Sequence, residues 1–364
     1  MPVKQLPSRP QLDRLKQQAK DLARNRLTED IESKQRIREF HPKFKSASDE
    51  AIRSSPFRLS DAQLTIAREY GFASWPRLKA NVEEQDREWQ ALPLHDQIED
   101  PEFREAVDLI DNGDIGRLNA LIRNHPDLVA RRVSFEGRNY FRNPSLLQFT
   151  AENPIRQGAL PRNILEVVSL LLEIGANRDL NDVNETLGLV CSGRIVREAG
   201  VQLQIIDVLL QHGANPESAL RLAVAHEEWG AAEHLLATKA ILDLPVAAAL
   251  GQLPEVIERF SDASIEDRHL ALAWASQYGH STTVEWLLKA GEDPNRYNPV
   301  GAHSHSTPLH QAAFAGHLDA VKSLVRHGAR FDIPDVLWKG TAMNWAEHGN
   351  RSEVVAYLKS LIGG

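Results

Sequence analysis

Apolar residues recur at helical spacing along most of this chain. Over residues 60–70 the stripe is Ala62, Leu64, Ile66 and Ala67, with Ser60 as a cap ahead of it and Gly71 closing it. The same pattern predicts helices over 12–24 and 28–39, and a short helix starting near Ser74. Residues 41–58 contain Pro42, Pro56 and several serines, and read as a loop; residues 84–101 read as a linker helix or loop. Beyond that point the pattern turns into short helices in pairs. Residues 103–112 pair with 115–124 around Gly113-Asp114, 218–229 with 231–238, 245–251 with 254–260, 268–278 with 281–290, and 341–348 with 352–362.

One pair carries a distinctive string. Thr307-Pro308-Leu309-His310-Gln311-Ala312-Ala313-Phe314-Ala315-Gly316-His317 is followed by a second apolar stripe through Val321, Leu324 and Val325, and then by Gly328-Ala329. Thr307 suits a helix cap and Pro308 the first turn. Ala312 and Ala313 allow a neighbouring helix to approach closely, and Gly316 suits a left-handed helix end. Weaker copies of the closing signal stand at Gly175, Gly213 and Gly291.

The TPLH-x-AA-x-x-GH string with its later Gly-Ala resembles the ankyrin repeat, and the spacing of its copies is close to that family's period of about 33 residues. The resemblance implies a mainly α solenoid of about eight helix-pair repeats with short β-hairpin fingers. The helical head is similar to a segment found ahead of bacterial ankyrin arrays, on the string Ala67-Arg68-Glu69-Tyr70-Gly71-Phe72-Ala73-Ser74-Trp75. The expected organisation is a helical N-terminal segment over 1–90, a linker over 91–101 and the array over 102–364.

Ankyrin proteins hold partners on the concave face and the fingers. The resemblance puts the variable positions just before each helix-ending glycine, here Glu228 and Trp229, Gln277 and Tyr278, Phe314 and Ala315, and Glu347 and His348. Trp229, Tyr278 and Phe314 are the residue types that dominate interface energetics. With His348 they form the expected partner-binding row, and Tyr297 and Trp338 in the fingers extend it. A second candidate lies in two enlarged loops, 154–162 and 192–200. There Arg156, Arg194 and Arg197 are positioned to meet a small anion, against the simpler expectation that they pair with Glu152 and Glu198. His303, His305 and His310 invite a metal reading, but no cysteine or carboxylate completes a ligand set, so neither metal nor cofactor is expected.

Composition narrows the class. The 364 residues are 42% hydrophobic and 25% charged, as in an ordinary folded protein, and hold a single cysteine, Cys191, which excludes a disulfide framework. The net charge of −8 is uneven: residues 1–90 carry a small positive excess and the rest the acidic surplus, which argues against nucleic acid as a partner of the array. There is no long apolar run, no phosphate-binding glycine loop, no G-x-S-x-G and no HExxH. The resemblance implies a module that binds a protein, and with these features the expectation is a cytoplasmic, monomeric, non-enzymatic one.

Overall fold

The computed structural model describes residues 4–7, 9–135, 140–238 and 240–362. Among them all regular structure is helical. No helix there is long and apolar enough to cross a membrane. The chain forms two compact units, Met1–Glu99 with Ser134–Arg142, and Asp100–Val133 with Asn143–Gly364.

The first unit contains the helices Leu12–Asn25, Ile31–Phe40, Asp49–Ser54, Leu59–Glu69 and Trp75–Ala91. Their inward stripes, Leu15, Ala19 and Leu22, then Ile37, then Ala62, Ile66 and Ala67, then Leu78 and Val82, close on one core. The segment 41–58, expected as a loop, is partly helical. Pro42 starts a turn instead of breaking one: the His41 ring Nδ1 accepts the Lys43 N–H ahead of the short 3₁₀ turn Pro42–Phe44, while Pro56 lies in the irregular stretch between two helices. The Ser48 hydroxyl caps the next helix through the Ala51 N–H, and Arg26 donates to the carbonyls of Ile52 and Arg53 at that helix's far end. The last helix continues to Ala91, well into the stretch read as a linker.

The second unit is a stack of helix pairs, with longer loops inside the early ones. Toward its end the pairs are Glu217–Ala225 with Trp229–Ala237, Leu244–Ala249 with Leu253–Arg259, Ile265–Gln277 with Ser281–Lys289, Pro308–Ala315 with Leu318–Arg326, and Ala342–His348 with Ser352–Ile362. First helices pack on the first helices of the next pair, and second helices on second. The contact residues explain the spacing. Alanines 247, 248, 271, 275, 312, 313 and 346 are fully buried where first helices meet, and Val256, Val284, Leu287, Val321, Leu324 and Leu358 fill the layer behind. Each pair buries apolar surface only by stacking, which is the logic of a solenoid.

Two register expectations change. Gly230 does not end a first helix: it lies inside Trp229–Ala237, and Glu227 takes the left-handed conformation with φ 58°. Trp229 therefore opens the second helix of its pair and does not close the first. Similarly Gly349 has φ −77° and Asn350 is left-handed at 57°, so the turn lies one residue later than expected. Glu227 and Asn350 occupy the place that Gly279 and Gly316 hold in their pairs, with φ 81° and 89°. The fingers are loops fastened by isolated backbone bonds, such as Asn298 N–H to the Ser306 carbonyl at 2.8 Å and Asp335 N–H to the Gly340 carbonyl at 2.7 Å.

Candidate functional site

The stacked first helices and the fingers of the second unit enclose a groove of about 1570 Å³. Trp229, Tyr278, Phe314, Trp338 and His348 all line it; of the expected row only Tyr297 does not. That volume exceeds the roughly 300–1,000 Å³ of small-molecule pockets.

At one end the Trp229 and Tyr278 rings meet edge to face, with centroids 4.9 Å apart at 80°. The Tyr278 hydroxyl donates to the Val224 carbonyl at 2.7 Å, which fixes the ring across two pairs. Burial, and then the nearby Glu227 charge, push this phenol far up, so it remains a donor at any physiological pH.

The other end is an aromatic wall. Phe314 lies 6.0 Å from Trp345 and stacks on His348 at 6.2 Å; Trp345 in turn touches His305 at 5.6 Å and Trp338 at 6.0 Å. Trp345 is its hub, and sequence reasoning passed it over. The signal was present, since Trp345 stands four residues after the capping threonine, where the last pair departs from the repeat pattern. Its indole N–H donates to Asp335 at 3.1 Å. The Asp335 carboxylate is fully buried and also accepts the N–H groups of Leu337, Trp338 and Gly340. Burial pushes its pKa up, but the bonds from Trp338, Trp345, Gly340 and Leu337 outweigh that and hold it below the usual carboxylate range. One buried anion thus sets the finger tip and the wall together. Tyr297 contributes from outside the groove: its hydroxyl donates to the Pro334 carbonyl at 2.7 Å, tying one finger to the next.

The floor is built from a repeated bond between pairs. The His280 Nε2 contacts the Ala249 carbonyl at 2.7 Å, and the Arg351 Nε donates to the Phe314 carbonyl at 2.9 Å. His317, one pair along from His280, has its pKa lowered by burial, only partly offset by its bond to the Gln277 carbonyl. His310 closes the cap of its own helix: its Nδ1 accepts from Thr307 N–H at 3.2 Å, and its Nε2 meets the Gly340 carbonyl at 3.2 Å. His303 and His305 pack as rings, 6.0 Å apart at 83°. Among the described residues no three histidine, cysteine or acidic side chains converge as a metal set.

Residues 272–363, which build most of this wall and floor, match the family model for three copies of the ankyrin repeat. The chain is 31% identical over 126 residues to the bovine (Bos taurus) cyclin-dependent kinase 4 inhibitor B, a match that spans 33% of this chain and 92% of the relative. The chain belongs to the ankyrin-repeat family. It is also 30% identical over 113 residues to the human (Homo sapiens) cyclin-dependent kinase 4 inhibitor B, covering 31% of this chain and 73% of the relative. A further match, 41% over 64 residues, is to the bovine ankyrin repeat domain-containing protein 49, covering 18% of this chain and 26% of that one.

The enlarged loops of the early ankyrin pairs look different from the groove. Arg156 is almost wholly buried and forms two bonds to Asp111, at 2.6 and 2.9 Å, with Glu152 3.1 Å away and the Phe149 ring beneath it at 4.8 Å. Arg194 pairs with Glu198 at 3.1 Å. Arg197 pairs with Glu228 at 2.9 Å. The structure does not gather the three arginines on one site; each faces its own carboxylate. Cys191 is fully buried, and burial, followed by the Glu228 charge, pushes its thiol far above the reactive range.

Proposed function

We propose that this chain is a non-catalytic interaction module, and that the groove between Trp229 and His348 holds a segment of a protein partner. One observation carries the reading. Aromatic side chains from four helix pairs and a finger line one continuous groove; Phe314 and Trp338 are 42% and 69% exposed, while Trp229, Tyr278 and Trp345 are half-buried along it. Isolated exposed aromatics are ordinary, whereas a contiguous set in a groove is the usual makeup of an interface core. Two of the relatives are named as inhibitors of a cyclin-dependent kinase, that is, for acting on another protein, which supports a protein as the ligand here.

The test is affinity capture from the native cell with intact protein and with Phe314→Ala and Trp345→Ala, followed by titration of the captured partner against purified protein. Each substitution is expected to weaken binding about thirtyfold, the ~2 kcal/mol of a central aromatic anchor. Identical captured sets and unchanged affinity would falsify the groove assignment.

A further inference from the structure

Two adjacent glutamates at one end of the groove have opposite fates. Glu228 is buried, and its carboxylate is taken by Arg197 at 2.9 Å and Gln202 at 3.4 Å. Glu227 lines the groove, is exposed, and its carboxylate makes no hydrogen bond or ion pair among the described residues. It stands beside the right-angled corner of Trp229 and Tyr278. Its charge is felt by Tyr278 and by His303 across the groove. The fixed cations of the groove come from the opposite end and are engaged elsewhere: Arg351 with the Phe314 carbonyl at 2.9 Å, and Lys339 with the Val336 carbonyl at 2.9 Å.

Two perpendicular ring faces beside an unpaired carboxylate form a site of one sign. The faces of indole and phenol rings carry the negative part of the quadrupole, so both rings and the carboxylate attract a cation. The Tyr278 hydroxyl, already committed to Val224, cannot turn to offer its proton to an incoming acceptor. An anion or a purely apolar group would leave Glu227 desolvated without compensation once the groove is filled. We propose that this corner receives a protonated basic side chain, lysine or arginine, carried by the segment that occupies the groove. The inference rests on the groove being the partner site and adds the chemistry of one position in the partner.

Decapeptides selected from a random library on the intact protein serve as the probe, because Trp229 and Glu227 are then read in the complete array. The selected peptides are expected to share one basic position next to apolar anchors. Replacing that residue by norleucine should cost about tenfold in affinity for the native protein. The same change should cost little for Glu227→Gln, which keeps size and backbone; equal unfolding midpoints confirm that the variant is folded. Peptides with apolar anchors but no basic preference, or a norleucine penalty unchanged in Glu227→Gln, overturn the cation site while leaving the groove in place. Selection unaffected by Phe314→Ala, or a library that yields no peptide, overturns both.

Discussion

Glu152 in the early pairs and Glu227 in the late ones are both glutamates held in the left-handed region, at φ 47° and 58°. Such a conformation costs an ordinary side chain about 1–2 kcal/mol, so each needs a reason. The Glu152 carboxylate accepts the N–H groups of Arg156 and Gly158, at 2.6 and 2.8 Å, and that of Gln157, and it faces the Arg156 guanidinium. Its side chain turns inward and knots an enlarged loop onto the array. Glu227 makes no such bonds, and its carboxylate faces the groove. The same residue in the same backbone state is a structural fastening in one place and an open charge in the other. Partner count separates the two, and conformation does not.

That difference sets the largest expected effect. Glu152→Ala leaves three loop N–H groups unsatisfied and removes one of two carboxylates from a buried guanidinium. It should lower unfolding stability by about 3 kcal/mol, read by urea denaturation. Adding Arg156→Met should deepen the loss, because it also strips both guanidinium bonds from Asp111 and leaves that part-buried carboxylate unpaired. A loss below about 1 kcal/mol for Glu152→Ala would mean the loop is held by its other contacts and the comparison is misdrawn.

Glu227→Gly reverses the sign. Glycine takes this backbone conformation freely, as Gly279 and Gly316 do in their pairs, and no intramolecular bond of the carboxylate is lost. The variant should be more stable by about 1 kcal/mol in the same titration and should lose the preference for a basic residue in bound peptides. A destabilised Glu227→Gly would place the carboxylate in the fold's own bonding and end the contrast with Glu152.

The helix-pair stack was legible because its determinants are local. Thr307, Pro308, His310 and Gly316 act within their own turn, and the alanine pair behind them states how close the next helix must come. What lay beyond the sequence depends on partners far along the chain. Arg156 reads as an anion ligand until Asp111, from the first pair, is seen beside it. Trp229 was placed one element early because Gly230 resembles a helix end, whereas Glu227 carries the turn. Trp345 escaped notice because its meaning comes from Asp335 and Phe314, which belong to a finger and to the neighbouring pair.

The smallest expected effect compares the caps of the two regions. In the early part of the stack the cap of the helix Leu146–Phe149 is closed by Gln148, whose amide oxygen accepts the Ser145 N–H at 3.3 Å. In the late pair the same place is taken by His310, accepting from Thr307. Burial lowers the His310 pKa below its ordinary 6.5, outweighing the bond to the Gly340 carbonyl and the pull of Asp335. The unfolded chain therefore takes up this proton before the folded one does. The contribution of His310 is complete above about pH 6.5 and is lost as pH falls through the folded pKa. His310→Gln keeps the capping geometry, as Gln148 does, without a titrating group. Measured as unfolding free energy from about pH 7 down to 5, the variant should fall less steeply than the native protein, with the two converging or crossing at the acid end. Parallel curves would mean that protonated imidazole is tolerated in the cap, and that the late wall is no more acid-sensitive at this point than the early one.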